Sequence, residues 1–126
     1  MQIRQGVDIV SVVRLEEAVR RHGDRFLNRI FTPTERAYCE SKRFKFEHYA
    51  ARFAAKEAMM KAMEIRPKDR FRFREIEVTR RPTGKPGIRI SPEGERRFGL
   101  PAGAQVEVSM AHERKYAVSF VVLILP

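Results

Sequence analysis

The sequence predicts an α+β domain in which a mainly antiparallel sheet packs against a long central helix. β-branched runs stand near both ends of the chain, and the longest helical pattern lies in the middle. Strands and helices do not alternate in the regular way that builds a parallel βαβ sheet. The 126 residues suit one domain with a real core. No Gly/Ser linker or internal repeat divides them, so 1–126 reads as a single domain.

Each element has a local cause. IRQGVDIVSV reads as a strand through Ile3, Val7, Ile9, Val10 and Val12. VRLEEAVRRHGD reads as a helix with Leu15, Ala18 and Val19 as its apolar stripe and Gly23 as its stop. FLNRIF is a short helical turn. A third helix runs from TPTE to about Ser41, with Thr32 as N-cap, Pro33 at the first helical position and Glu35 closing a capping box. The longest helix is KRFKFEHYAARFAAKEAMMKAME, with Phe46, Tyr49, Ala50, Phe53, Ala54, Met60 and Met63 at helical spacing and Pro67 beyond its end. FRFREIEVTR and IRIS read as strands joined by the turn RPTGKPG. SPEGERRFG reads as a short helix capped by Ser91. QVEVSMAH and YAVSFVVLIL form a hairpin across HERK. The last strand is apolar at almost every position, as expected if both its faces are covered.

Lysine and arginine number 26 against 16 acidic residues, a net charge of +10. That balance suits an anionic partner: nucleic acid, a phosphorylated small molecule or an acidic protein. The hydrophobic content of 43% is ordinary for a globular protein. The lone Cys39 excludes an internal disulfide framework and a multi-cysteine metal cluster, and fits a small buried residue in a reducing cytoplasm. MQIRQGVDIV is not a signal peptide, because Arg4 and Asp8 interrupt its apolar run. Ala117 to Leu125 is too short to span a bilayer.

Phosphate-loop and dinucleotide patterns, GxxxxGK[ST] and GxGxxG, are absent, as are HExxH and GxSxG. His22, His48 and His112 are scattered without metal-ligand spacing. What remains is an oxygen-ligand pair. Asp8 interrupts an otherwise apolar strand, and Glu57 stands in an alanine-rich helix with Lys56 beside it and Lys61 four residues on. Two carboxylates from distant parts of the chain suit Mg²⁺, which fills its other positions with water and phosphate oxygens. A lysine one turn away can touch the same phosphate or receive a proton. The residues alone leave a second reading open, in which Asp8 faces solvent and Glu57 and Lys61 form an ordinary helix-surface pair.

GVDIVSVVR and RFAAKEAMMKA strongly resemble the G-[IV]-D-I start and the F-x-x-K-E-A-x-x-K-A helix of the holo-[acyl-carrier-protein] synthase family, the small 4′-phosphopantetheinyl transferases. RIFTPTE, PTGKP, and VSMAH before a YAV-type last strand continue the resemblance in order over nearly the whole chain. The resemblance implies that family's fold. It also implies a reaction, in which the phosphopantetheine arm of coenzyme A moves to a serine of an acidic acyl carrier protein and 3′,5′-ADP is released. By position, Asp8 and Glu57 would hold Mg²⁺, and Lys61 would contact the phosphate as a candidate proton acceptor. Arg52 and His112 would meet the 3′-phosphate of coenzyme A. Lys42, Arg43 and Lys45 would add basic contacts, and Lys85 and Pro86 would lie near the nucleotide. Arg14, with Arg20, Arg21 and Arg25 after it on the first helix, resembles the family's carrier-docking helix. The resemblance further implies a homotrimer with active sites between protomers, with neither nucleic acid nor membrane as partner. Two other readings of the basic chain remain beside it: a relative that binds coenzyme A or a carrier protein without catalysis, and a nucleic-acid module using Phe71, Phe73 and their flanking arginines as a stacking platform.

The chain departs from the family after Lys61. Where the family runs KA-x-G-T-G, this sequence reads KAMEIRPKDRFRF, with Arg66, Lys68, Arg70 and Arg72 nearby. A reshaped pocket, an unusual carrier partner and weakened activity are the readings this opens. Ala111 removes a hydroxyl beside His112, and Phe71 and Phe73 are expected to fill the space of the family's tryptophan.

Overall fold

The structure is a computed structural model describing residues 1–66 and 68–126. In chain order it comprises β1 (Gln2–Ser11), α1 (Val12–His22), α2 (Asp24–Ile30), α3 (Pro33–Glu40), α4 (Lys45–Ala62), β2 (Ile76–Arg80), β3 (Pro86–Ile90), α5 (Pro92–Arg97), β4 (Gln105–His112) and β5 (Tyr116–Leu125). A 3₁₀ turn at Phe73–Glu75 precedes β2. The architecture is α+β and every strand pair is antiparallel, as expected, but the strands divide into two sheets. One has the order β1-β5-β4 and the other is the β2-β3 hairpin. Among the described residues, no helix is long and apolar enough to cross a membrane.

Helix α4 is the centre of the molecule. Ala51, Ala54, Ala55, Ala58 and Ala62 are fully buried on it, and together with Met59 they seat it on β1 and β5. Small side chains let helix and sheet approach closely. The approach is closest at Gly6 of β1, where an added Cβ would lie 1.9 Å from the Ala58 carbonyl oxygen. No side chain fits there, so glycine is required by contact rather than by backbone angle. Gly6→Ala is expected to destabilise the fold by at least about 2 kcal/mol, because strand and helix must separate. It should also displace Asp8, two residues away on the same strand; urea denaturation checks the loss of stability.

The caps form as the sequence suggests. Ser11 accepts from the Arg14 backbone N–H at 3.2 Å, and Gly23, at φ +60°, closes α1. Thr32 and Glu35 make the reciprocal capping box at 3.2 and 2.8 Å. Ser91 accepts from the Gly94 N–H at 3.0 Å. Helix α4 starts at Lys45, three residues later than the pattern suggests, because residues 41–44 turn: the Ser41 hydroxyl donates to the Tyr38 carbonyl at 2.6 Å. The strand expected from Phe71 begins only at Ile76. Its partner ends at Ile90, opposite Ile76, so the residues before it have no ladder to join. Phe71 and Phe73 instead pack against each other at 5.4 Å, with Phe73 stacked on Phe53 at 5.5 Å and Phe71 tilted against Phe98 at 5.8 Å.

Pro67, the residue expected beyond the helix end, lies outside the described residues. The helix closes at Ala62 through a Schellman turn: Ile65 N–H donates to the Met60 carbonyl and Glu64 N–H to the Lys61 carbonyl, both at 3.0 Å. Glu64 takes the left-handed conformation, φ +59°. It stands at the first glycine of the family's KA-x-G-T-G run, so this part of the turn keeps a glycine-like backbone without glycine. Glu64→Gly is expected to stabilise the chain by about 1 kcal/mol, read by urea denaturation. The Arg4–Glu64 pair lost with it, at 3.6 Å between a half-buried arginine and an exposed glutamate, is worth little.

The sheet covers itself on one face only. Residues of β1 and β5 that point away from α4 leave Ile3, Val7, Ile9, Tyr116, Val118 and Phe120 exposed. Val7 stands opposite Phe120, and Ile9 opposite Val118. The expectation that both faces of β5 are covered is met by α4 on the inner face, while the outer face is left exposed by the described residues.

Candidate active site

Asp8 points inward because it alternates with the exposed Val7 and Ile9. On α4, Glu57 follows the buried Lys56 and precedes Ala58, the residue that meets Gly6. The close approach of the two backbones therefore brings the two carboxylates together. Lys61, one turn on, donates to the Val7 carbonyl at 2.9 Å and to the Asp8 carboxylate at 3.3 Å. Burial raises the Glu57 pKa above the ordinary carboxylate range, the Asp8 charge adds to the rise, and Lys61 opposes it. A cleft of about 450 Å³ opens beside them, with Arg14 at its edge and Leu15, Phe26 and Phe53 among its walls. Asp8, Glu57, Lys61 and Arg14, called from distant stretches of sequence, thus form one site.

A second cluster gathers round Tyr38. The Arg52 guanidinium lies 4.1 Å from its ring centre, Arg80 at 4.7 Å and the Lys42 ammonium at 4.7 Å. Arg52 is itself buried and donates to the His48 carbonyl at 3.3 Å. The His48 and His112 rings meet at 4.8 Å, and His112 Nδ1 lies 2.9 Å from the Glu47 carboxylate. Burial, then the neighbouring His112, Arg52 and Lys42, lowers the His48 pKa. Such a convergence of cations suits a phosphate. Arg43 instead rests on Phe44 at 5.1 Å, and Lys45 pairs with Glu40 at 3.2 Å. Lys85 pairs with Glu107 at 3.2 Å, next to Pro86 at the start of β3. These four lie outside the Tyr38 cluster. Arg14 and Arg21 are on α1, whereas Arg25 is not: Gly23 breaks the helix, and Arg25 belongs to α2.

Sequence reasoning missed three features. Tyr38 and Arg80 gave no local signal, since only the packing of α3 beside β2 unites them. Lys56 was read as a neighbour of the charged pair, yet it is fully buried. Its ammonium bonds the Glu35 carboxylate at 2.8 Å and the carbonyls of Phe73 and Ile76 at 3.1 and 2.5 Å. Its helical phase was the available signal, because Lys56 shares a face with the buried Tyr49, Arg52 and Met59. Cys39 is buried as expected, and burial pushes its thiol pKa up to about 12.

This fold and site define a class. The chain belongs to the 4′-phosphopantetheinyl transferase superfamily, whose family model matches residues 4–121. Within it the chain is similar to holo-[acyl-carrier-protein] synthases. It is 40% identical to that of Koribacter versatilis over 98% of both chains. The Helicobacter pylori holo-[acyl-carrier-protein] synthase, solved in complex with coenzyme A, superposes with a TM-score of 0.82 at 31% identity, covering 95% of this chain and 99% of that one. The Chronobacterium ammoniagenes complex with coenzyme A gives a TM-score of 0.86 at 28% identity, covering 100% of this chain and 99% of that one. The expected family and fold are therefore borne out.

Proposed function

We propose that this chain transfers the 4′-phosphopantetheine group of coenzyme A to a serine of an acidic apo acyl carrier protein and releases 3′,5′-ADP. The observation that carries the reading is the meeting of Asp8, Glu57 and Lys61 at a cleft edged by Arg14. Likeness to proteins solved with coenzyme A supports the donor.

The residues fit Mg²⁺. Asp8 and Glu57 are two hard oxygen donors; burial raises the Glu57 pKa and the Asp8 charge adds to the rise, and a divalent cation relieves the repulsion between the two. Two protein carboxylates would leave the other positions of Mg²⁺ to water and phosphate oxygens. When bound, Mg²⁺ would neutralise the pyrophosphate and make 3′,5′-ADP a better leaving group. Lys61 would contact the transferring phosphate and, as the neutral amine, would be a candidate acceptor of the serine proton. The serine oxygen bonds to the phosphorus that carries pantetheine. The bond from that phosphorus to the bridging oxygen breaks, and its electron pair leaves with 3′,5′-ADP. Arg52 and His112 would hold the 3′-phosphate, with Lys42, Arg43 and Lys45 as further basic contacts and Lys85 and Pro86 near the nucleotide. Arg14, Arg21 and Arg25 would meet the carrier.

The test is the intact mass of an apo carrier protein after incubation with this chain, coenzyme A and Mg²⁺. A gain of one phosphopantetheine, lost with EDTA, supports the reading; no gain across several carriers overturns it.

The assembly follows the same reading: three copies, with active sites between them. The exposed apolar face of Val7, Ile9, Val118 and Phe120 supports it, since monomers rarely leave such a face in water. Lys85, near the tip of the β2-β3 hairpin, lies outside the Asp8 cleft of its own chain, as expected if a neighbour completes the site. Light scattering after size exclusion should give three times the chain mass. Phe120→Glu should give the single mass with most activity lost; a fully active monomer would overturn the shared site.

A further inference from the structure

Phe71 to Glu75, the segment that leads into β2, borders an open cavity of about 760 Å³ between α2, the start of α3 and α5. Arg29 of α2 and Arg72 and Arg74 of the segment line it, and all three are exposed. Their neighbours are engaged: Arg97 pairs with Glu75 at 2.7 Å, and Arg89 pairs with Glu77. Among the described residues, Arg29, Arg72 and Arg74 have no carboxylate within ion-pair distance. The Arg74 guanidinium donates to the Asn28 carbonyl, at 3.4 Å, which turns it toward α2.

We propose that Arg29, Arg72 and Arg74 form a second docking surface for the acidic face of the carrier protein, separate from α1. The proposal rests on the function argued above and names a further contact of that same site. Continuity supports it. Phe53 lines the Asp8–Glu57 cleft, Phe73 lines this cavity, and the two rings stack at 5.5 Å, so one aromatic wall separates the two. Arg25 and Arg29 stand one turn apart on α2, which lies between α1 and the 3₁₀ turn. A carrier presenting its serine at Glu57 is therefore flanked by cations on two sides, those of α1 and those of this cavity. Protein carboxylates suit these arginines better than nucleic acid does. A base needs a free aromatic face, and Phe73 has one face on Phe53 while Phe71 is held by Phe73 and Phe98. Exposed guanidiniums at an interface edge act mainly on association rate and salt sensitivity.

The test is transfer kinetics with varied apo carrier at saturating coenzyme A. Arg72→Glu and Arg74→Glu should each raise the KM for carrier at least about fivefold at low salt, with the difference shrinking at high salt. The KM for coenzyme A, kcat and the melting temperature should stay near wild type, and Arg74→Gln should give a smaller effect of the same kind. Arg96→Glu, an equal charge change on the exposed side of α5, should stay within about twofold of wild type. Arg72→Glu and Arg74→Glu within twofold of wild type, or Arg96→Glu as damaging as they are, would overturn the proposal. If the wild-type chain transfers nothing, the function reading fails by itself, and carrier binding measured by fluorescence anisotropy applies the same variants to the surface alone. Should the variants weaken binding of a single-stranded oligonucleotide and leave carrier binding intact, the surface is a nucleic-acid site and the proposal falls.

Discussion

Glu57→Gln is expected to lower phosphopantetheine transfer by on the order of 10³-fold while leaving the chain folded. The glutamine keeps the size and shape of the side chain, so the cleft and the packing of α4 persist. It loses the second negative charge that a divalent cation needs beside Asp8. The same substitution gives a readout that does not depend on activity. Folding raises the Glu57 pKa through burial and the Asp8 charge, so the folded chain holds a proton there more readily than the unfolded one. The charged form thus costs stability above the folded pKa, and that cost disappears as pH falls below the ordinary value of 4.5. Without metal, Glu57→Gln should therefore be more stable than wild type at neutral pH, and the gap should close in acid. Added Mg²⁺ should stabilise wild type more than the variant. Thermal melts at pH 4 and 7.5, with and without Mg²⁺, check all three. Near-full activity in the variant, or equal stabilisation of both chains by Mg²⁺, would sink the metal assignment.

Lys56→Met should be the most destabilising single change in the helix, by about 3–5 kcal/mol, or roughly 10–20 °C in melting temperature. Lys56 and Glu35 are both fully inaccessible and bond at 2.8 Å. Burial lowers the Lys56 pKa, and the Glu35 charge works against that fall. Methionine fills the space, but it leaves the Glu35 carboxylate buried without its countercharge. It also frees the Phe73 and Ile76 carbonyls that Lys56 ties to α4. Glu35→Gln on the Lys56→Met background should recover part of the loss, because the lone charge disappears. Recovery stays partial because both Glu35 oxygens also accept backbone N–H groups, from Thr32 at 2.8 Å and Val78 at 2.7 Å, and an amide supplies only one acceptor oxygen. Denaturant curves of the single and double variants measure the coupling. A Lys56→Met loss below 1 kcal/mol would show that the pair carries little.

Local chemistry made most of the elements legible. Capping residues at Ser11, Thr32 and Ser91 and the stop at Gly23 act through bonds within a few residues, so sequence alone locates them. The Asp8–Glu57–Lys61 site was legible for a different reason, because a carboxylate in an apolar strand and another in an alanine helix are each out of place. What stayed hidden depends on distant pairing. The start of β2 is set by where β3 ends, and the burial of Lys56 by a glutamate 21 residues earlier. The aromatic seat of Arg52, on Tyr38 with Arg80 beside it, exists only after α3 packs beside β2. Arg25 was placed on the first helix by its resemblance to the docking helix, although Gly23, the stop of that helix, already put it beyond α1.

The contact between Gly6 and Ala58 also bears on how this chain tolerates change. It is a contact of main chain with main chain, and its two members stand two residues from Asp8 and one from Glu57. The gap between the carboxylates is thus gauged by peptide atoms rather than by side chains. Mutational drift in the aliphatic core can loosen or tighten the domain without resetting that gap. Folding robustness and carboxylate spacing are in this sense separately heritable, and they meet at Gly6, a position that admits no side chain.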